Sequence, residues 1–326
     1  LDAVRDGAGD AIRALCEAHS IPLVTTYKGK GLLPEDHRLA LGGAGLSPVA
    51  DGHLLSLFRE ADLIVLAGYD PIEMRTGWRD VWDPESQHVL DIAHAANTHG
   101  MHRAGLEVVA PIGPTLDRIR DGVAAKEVWN ISETRTALRA AFAARGWGPD
   151  AVIETCREVC PPGTIATVDS GAHRILLSQM WDCDEPRTLL QSSGLCTMGC
   201  ALPLAIGAKR AAPDRPVVGF MGDAGFLMVA GELASAAALG LPVVFVVFVD
   251  RSLALIEMKQ RQRQMSNAGV DFGRFDYAAI ARGFGGNGAF VSDRDGLRQA
   301  MTEALSAETF TLIAAEIDRK AYDGRI

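Results

Sequence analysis

The chain has 326 residues, of which 48% are apolar and 6% aromatic, and it contains 34 glycines. Single domains cluster near ~100 to 200 residues, so this length indicates about two domains, and the composition is typical of a soluble α/β protein. The formal net charge is -9, and there is no basic block of the kind that follows a phosphate backbone, which argues against nucleic acid as a partner. The longest apolar run, residues 241–249, is far shorter than the ~20 residues that a membrane span needs.

The cysteines and the amino-terminal sequence indicate the cellular compartment of the protein. The six cysteines form neither a CxxC pair nor the spacing with histidine that a structural zinc site needs, which favours the reducing cytoplasm. No signal-peptide pattern is visible. The chain begins with Leu, and residues 1–8 enter a helical pattern without the opening strand of an α/β unit. We therefore expect the first strand and sequence upstream of it to be missing.

The first region alternates helical and extended patterns. Apolar strands separated by helices are typical of parallel βαβ units, which predicts a doubly wound domain. The predicted helices lie near residues 8–19, 52–60 and 114–125, and the predicted strands at residues 21–25, 63–67, 89–92 and 107–109.

Residues 127–149 interrupt this alternation of strands and helices. They form a mostly helical stretch that ends in a Gly- and Pro-containing segment, so we place a linker there. The domains are therefore predicted at residues 1–126 and 150–326, each an α/β domain with a doubly wound parallel sheet. In the second domain the predicted helices lie near residues 150–159, 199–211, 229–239 and 294–306, and the predicted strands at residues 164–168, 217–221, 243–249 and 311–317.

The most informative segment spans two strands of the second domain. A buried strand ends in the sequence GDAG at residues 222–225, a helix follows, and the next buried strand ends at Asp250. Because the carboxyl ends of parallel strands lie at one edge of a sheet, Asp223 and Asp250 can converge on one cation. Two carboxylates and a nearby backbone carbonyl are hard oxygen ligands, which suit Mg²⁺ whose remaining positions are filled by phosphate.

The small residues of this turn have a predicted role of their own. Gly222, Ala224 and Gly225 let backbone N–H groups approach phosphates where the strand turns into the helix. The alternative is that GDAG is only a tight turn, in which Asp223 caps the next helix and Asp250 opens a loop.

The segment resembles the diphosphate-binding motif of thiamine diphosphate (ThDP) enzymes, which begins Gly-Asp-Gly, or Gly-Asp-Ala in acetolactate synthases, and ends in Asn-Asn. The resemblance implies that Asp223 binds Mg²⁺, that Asp250 takes the place of the second Asn, and that Ser252 contributes its backbone carbonyl. Val249-Asp250 departs from Asn-Asn and adds a negative charge beside an anionic diphosphate. Arg251 is the candidate cation that would compensate for it.

Two further segments are similar to the same family. GLCTMGCALPLAIGA at residues 194–208 resembles a family loop and helix that read GLGTMGFGLPAAIGA. The resemblance implies that this loop holds the aminopyrimidine ring, through the carbonyl of Cys196 and the amide of Met198, with the Met198 side chain under the cofactor. The sequence DSGAH, where the family has Gly-Gln-His, implies that Gly171 and His173 contact the diphosphate. A methionine that fills a core gap and a structural histidine are the alternatives.

The first domain resembles the central domain of the family through TTYKGKGLLPEDH at residues 25–37. That domain often holds FAD in acetolactate synthases, where the sequence tends to be Gly-Ala-Arg-Phe-Asp. Residues 68–71 read Gly-Tyr-Asp-Pro here, and the loss of the Arg argues against FAD.

The family also implies what this sequence lacks. The glutamate that activates ThDP belongs to an N-terminal pyrimidine-binding domain, so no catalytic residue is assigned within these residues. We expect a truncated chain that is inactive alone, or, as the second possibility, a split enzyme with a separate partner chain. Because family members place ThDP between subunits, the intact protein is expected to be a homodimer or homotetramer.

The resemblance predicts a ThDP- and Mg²⁺-dependent decarboxylase or carboligase of 2-oxo acids, similar to acetolactate synthase. Two other functions stay open. One is an enzyme of the same fold that acts on an acyl-CoA or a hydroxyketone, and the other is a non-catalytic module that binds ThDP or a nucleotide.

Overall fold

The structure is a computed structural model that describes residues 1–71, 74–124, 129–192 and 194–326. It divides into two compact units. The first comprises Leu1–Ala141 and Asp182–Arg187, and the second comprises Phe142–Trp181 and Thr188–Ile326. The predicted domain boundary between residues 126 and 127, the start of the predicted linker and the predicted helix end at residue 125 lie outside the described residues.

Within its described residues, the first unit contains two parallel sheets. A two-stranded sheet pairs β1 with β2, and a three-stranded sheet has the order β3-β4-β5. The predicted parallel pairing is confirmed, but the division into two sheets was not predicted, because β2 has the sequence ALGG and its glycines hide the strand pattern. The helices are α1 Asp2–Arg5, α2 Gly9–His19, α3 Pro48–Glu60, α4 Ile112–Gly122 and α5 Ser132–Phe142, and the strands are β1 Leu23–Thr25, β2 Ala40–Gly43, β3 Leu63–Ala67, β4 His88–Ala93 and β5 Leu106–Val109.

Helices α2 and α4 carry much of the core of the first unit. The apolar residues of α2 recur at helical spacing, and Ile12, Leu15 and Cys16 are buried together with Ile112 and Leu116 of α4. This spacing is the reason that residues 8–19 could be predicted as a helix.

A buried ion pair contributes to the contact between residues 182–187 and the rest of the first unit. Lys30 Nζ lies 2.6 Å from Glu35 Oε1, and both side chains are almost fully buried. The second oxygen of Glu35, Oε2, accepts a hydrogen bond from the backbone N–H of Cys183 at 2.8 Å. One carboxylate therefore joins Lys30 to the segment that begins at Asp182.

The second unit contains a six-stranded parallel sheet with the order β10-β11-β9-β8-β6-β7. The strands are β6 Ile165–Val168, β7 Leu189–Gln191, β8 Val217–Gly222, β9 Val244–Val249, β10 Asn287–Val291 and β11 Thr311–Glu316. The helices are α6 Pro149–Val159, α7 Ala172–Met180, α8 Ala201–Ala211, α9 Asp223–Val229, α10 Leu233–Ala238, α11 Ala254–Gln262, α12 Tyr277–Gly283 and α13 Arg294–Leu305. Short 3-10 helices lie at Tyr27–Gly29, Thr76–Trp78, Ala230–Glu232 and Arg319–Tyr322.

The order of this sheet positions the candidate site. Strands β6, β8 and β9 are neighbours in its centre, and all six residues of β9, VFVVFV, are buried. Central parallel strands covered on both faces read as continuous apolar runs of this kind. Their carboxyl ends lie at the same edge, where an open α/β sheet binds its ligands. No described helix is both long and apolar enough to span a membrane.

Candidate cofactor site

Three aspartates follow the three central strands at this edge. Asp169 comes directly after β6, Asp223 after the last residue of β8, and Asp250 after β9. Asp169 and Asp223 are 0% and 1% exposed. Buried carboxylates need partners because water no longer stabilises their charge.

The carboxylate of Asp223 joins the ends of β8 and β9. Its Oδ2 accepts hydrogen bonds from the backbone N–H groups of Asp250 at 3.1 Å and Arg251 at 2.7 Å, and its Oδ1 accepts from Ala224 at 2.8 Å. The structure therefore brings Asp223 and Asp250 together across two neighbouring strands. The N–H of Ala224, which the sequence assigned to phosphate, is directed to this carboxylate.

Both carboxyl groups bind protons more readily than usual. Burial raises the pKa of Asp223 to about 6, although three backbone N–H groups oppose that rise. Burial, followed by the negative charge of Asp223, raises the pKa of Asp250 to about 8. Two adjacent buried carboxylates resist simultaneous ionisation unless a cation is close to them.

Two nearby arginines, Arg251 and Arg319, differ in their interaction with Asp250. Ser252 donates its backbone N–H to Asp250 Oδ1 at 2.9 Å. The guanidinium of Arg251, the predicted compensating cation, forms an ion pair with Glu316. Burial and Asp223 raise the pKa of Asp250, and the Ser252 hydrogen bond and then the positive charge of Arg319 lower it by smaller amounts.

The donor set fits Mg²⁺. The carboxylates of Asp223 and Asp250 and the carbonyl of Ser252 are the hard oxygen ligands that this ion prefers. Within the part of the chain that the structure describes, no group of three or more His, Cys, Asp or Glu residues could hold a metal. An ion at this edge would therefore rely on phosphate or water for its other ligands, as Mg²⁺ commonly does.

Glycines at the strand ends leave room for a close-packed histidine. A Cβ at Gly171 would lie 2.5 Å from His173 Cε1, and a Cβ at Gly222 would lie 3.3 Å from the same atom. The His173 ring is buried, its Nε2 lies 2.7 Å from Asp169 Oδ1, and it stacks on Phe248 at a centroid distance of 5.2 Å. The two predicted diphosphate contacts, Gly171 and His173, are thus adjacent to the turn that contains Asp223.

The loop before α8 has the left-handed backbone that its glycines suggest. Gly194 and Gly199 have φ values of 77° and 76°, and Cys196 has a φ of 48°. Cys196 therefore adopts, at a cost, a conformation that the Gly of the family sequence adopts freely. Its Sγ accepts a hydrogen bond from Arg174 Nη1 at 3.2 Å, and the Met198 side chain is half-buried.

Asp169 was missed by the sequence reasoning. It stands directly after a buried strand, which is the signal that selected Asp223 and Asp250. Its Oδ2 accepts a hydrogen bond from the backbone N–H of Gly199 at 2.6 Å, so it connects the predicted diphosphate side to the predicted aminopyrimidine loop.

Two family models match the two halves of this chain. The model described as "Thiamine pyrophosphate enzyme, central domain" matches residues 2–119, and the model described as "Thiamine pyrophosphate enzyme, C-terminal TPP binding domain" matches residues 169–315. The chain, with its parallel α/β sheets, therefore belongs to the thiamine pyrophosphate enzyme family.

Three curated relatives indicate which members of the family this chain is similar to. The chain is similar to the acetolactate synthase of Bacillus subtilis (strain 168), at 30% identity over 96% of this chain and 57% of that protein. It is also 30% identical to the acetolactate synthase large subunit of Parasynechococcus marenigrum, over 96% of this chain and 52% of that protein. A probable large subunit from Methanocaldococcus jannaschii is 29% identical over 96% of this chain and 55% of that protein. The chain spans about half the length of these relatives.

Proposed function

We propose that this chain is the ThDP- and Mg²⁺-binding portion of an enzyme that decarboxylates 2-oxo acids or joins them to a second carbonyl compound, as acetolactate synthases do. The observation that carries the proposal is the pair of buried Asp223 and half-buried Asp250, which are joined across the ends of β8 and β9. The names of the relatives support the reaction class. Because the chain covers only 57% and 52% of the first two relatives, turnover is proposed for the whole protein, and these 326 residues alone are expected to bind ThDP weakly without turnover.

The metal is assigned to the turn after β8 and the turn after β9. Asp223, Asp250 and the carbonyl of Ser252 would hold Mg²⁺, and the backbone of Gly222 and Gly225 would line the diphosphate, beside Ala224, whose N–H donates to Asp223. A divalent cation would offset the repulsion that raises the pKa of Asp250.

The remaining predicted contacts divide between two segments. Gly171 and His173 would meet the diphosphate after β6, while the Cys196 carbonyl and the Met198 amide would hold the aminopyrimidine ring. When bound, ThDP supplies the electron sink that lets carbon dioxide leave a 2-oxo acid. The chain's own residues bind and orient that cofactor, and the Met198 side chain sets its bend.

The first unit is proposed to work without FAD. Tyr69 follows Gly68 in the segment where synthases tend to carry an Arg, and its hydroxyl is engaged within the unit. It accepts a hydrogen bond from Trp78 Nε1 at 3.2 Å and lies 3.1 Å from His102 Nδ1. The intact protein is proposed to be a cytoplasmic homodimer or homotetramer.

The experiment is turnover by the full-length product of the gene, supplied with ThDP, Mg²⁺ and pyruvate. We expect release of carbon dioxide with formation of an aldehyde or an acyloin, and loss of that activity in the Asp223→Asn variant. Turnover of an acyl-CoA or a hydroxyketone without turnover of any 2-oxo acid would contradict the proposed substrate class. Mg²⁺-dependent ThDP binding by a full-length protein that converts none of these substrates would instead indicate a non-catalytic binding module.

A further inference from the structure

We infer that Asp169 is a positioning residue, whose buried carboxylate holds the His173 ring and the loop at residues 194–199 in the arrangement that receives the cofactor. The inference rests on the proposed function, since that function gives the loop and the ring their ligand. Asp169 itself is too deeply buried to be a ligand contact, at 0% exposure.

Each oxygen of this carboxylate has one short hydrogen bond to a different segment. Oδ1 lies 2.7 Å from His173 Nε2 on α7, and Oδ2 accepts the backbone N–H of Gly199 at 2.6 Å. Hydrogen bonds to a buried carboxylate are shorter and stronger than those between neutral groups. The segments that follow β6 and β7 are therefore fixed to one another through Asp169.

Close packing from a third segment leaves the carboxylate little freedom. A Cβ at Gly225 would lie 2.1 Å from Asp169 Oδ2, and a Cβ at Gly199 would lie 2.7 Å from the carbonyl oxygen of Gly225. Glycine is thus needed at both positions for the chain to approach so closely. The segments after β6, β7 and β8 all meet at Asp169.

The contact also decides which nitrogen of His173 faces a ligand. A carboxylate only accepts hydrogen bonds, so Nε2 must carry a proton. The other ring nitrogen, Nδ1, faces the strand ends, where a Cβ built on Gly171 or Gly222 would lie 2.7 or 3.5 Å away. Asp169 therefore sets both the orientation of the ring and its tautomer.

The test is Asp169→Asn, which keeps the shape of the side chain but has one acceptor and one donor. The amide can satisfy the Gly199 N–H or the protonated Nε2, but not both. In the absence of ligand we expect either a move of the ring proton to Nδ1, seen in the ¹⁵N spectrum of labelled histidine, or faster hydrogen exchange at the Gly199 amide. We also expect the affinity for ThDP in the presence of Mg²⁺ to fall at least about tenfold, as for loss of one hydrogen bond to a charged group.

The matched control is Thr167→Val in strand β6, which ends directly before Asp169. Thr167 is fully buried and donates its Oγ1–H to the carbonyl of Ala201 at 2.7 Å, so its loss removes a buried hydrogen bond without touching His173 or Gly199. We expect a lower unfolding midpoint, an unchanged histidine spectrum and a change in affinity of less than about threefold.

Gly225→Ala is the second variant, because its methyl group would displace the carboxylate without removing it, and it should change the same signals. The inference would be overturned if the Asp169→Asn protein folds and its histidine spectrum, its hydrogen exchange at the Gly199 amide and its affinity for ThDP all match those of Thr167→Val. If the wild-type chain does not bind ThDP, the proposed function of this site fails, while the two ligand-free measurements still decide whether Asp169 positions His173 and Gly199.

Discussion

Asp250 carries a stability penalty that asparagine would remove. Burial and the neighbouring charge of Asp223 raise the pKa of Asp250 from 3.8 to about 8. A carboxyl group whose pKa rises on folding binds more protons in the folded state than in the unfolded state, so stability falls as pH rises from about 4 to about 8. Asp250→Asn removes the titrating group and keeps the oxygen that accepts from the Ser252 backbone. In the absence of divalent cations we therefore expect the variant to be more stable than the wild type at neutral pH.

The size of the effect follows from the ordinary and raised pKa values of this carboxyl group. At pH 7, roughly three pH units above the ordinary pKa of 3.8, the unfolded chain would have released the Asp250 proton, while the folded chain, with a pKa of about 8, retains it. At about 1.4 kcal/mol for each unit, the free energy of unfolding should increase on the order of 4 kcal/mol in the variant. For a unit of this length that corresponds to a rise in Tm of about 10 °C. At pH 4 the difference should nearly vanish.

The assay is thermal unfolding of both proteins from pH 4 to pH 8 in the presence of EDTA. Added Mg²⁺ should stabilise the wild type more than the variant, because it relieves a repulsion that the variant no longer has. A variant that is no more stable than the wild type at pH 8, or a stability difference that does not change with pH, would refute the reasoning about this pair.

Three other predictions test different parts of the chain. Lys30→Met leaves the Glu35 carboxylate buried without its ion-pair partner, so urea unfolding should show a loss of about 3 to 5 kcal/mol; a loss below about 1 kcal/mol would contradict this. Gly199→Ala forces a side chain into a left-handed backbone and against the carbonyl of Gly225. It should cost about 1 to 3 kcal/mol in the same assay and weaken ThDP binding in calorimetry. Cys196 should be the first of the six cysteines to react with iodoacetamide, because four of the others are buried and burial raises the pKa of the Cys200 thiol. ThDP with Mg²⁺ should slow that reaction, and peptide mapping by mass spectrometry would show whether another thiol reacts first.

The strands that position the site could be predicted because they are long, apolar and bounded by turn residues. Strands β8 and β9 are buried almost throughout. Because the carboxyl ends of parallel strands lie at one edge of the sheet, GDAG and Asp250 could be predicted to lie close together. The short strand β7, with the sequence LLQ, and the edge strand β10, which contains a glycine, give weaker patterns and were not predicted.

The helix predicted near residues 229–239 differs in the structure. Helix α9 ends at Val229, a 3-10 turn covers Ala230–Glu232, and α10 begins at Leu233. Gly231 lowers helix propensity in the middle of this Ala- and Leu-rich segment, which explains where the interruption falls. Periodicity alone does not reveal a break that leaves the apolar spacing intact.

The position of Asp169 after a buried strand is visible in the sequence, but its hydrogen bond to the backbone of Gly199 could not be predicted from a local pattern. A backbone N–H at Gly199 carries no sequence signal, and its acceptor lies 30 positions earlier in the chain. The same holds for Glu35, whose backbone partner at Cys183 lies 148 positions later. Contacts of this type depend on how loops approach one another, which a single sequence does not specify.

Calorimetric titration of this chain with ThDP, in Mg²⁺ and again in EDTA, would show whether the ends of β8 and β9 bind ThDP with Mg²⁺. The Asp223→Asn variant is titrated beside the wild type. We predict weak binding that requires Mg²⁺ and disappears in the variant. No binding by the wild type, or binding that survives both EDTA and Asp223→Asn, would contradict the assignment of this edge as the cofactor site.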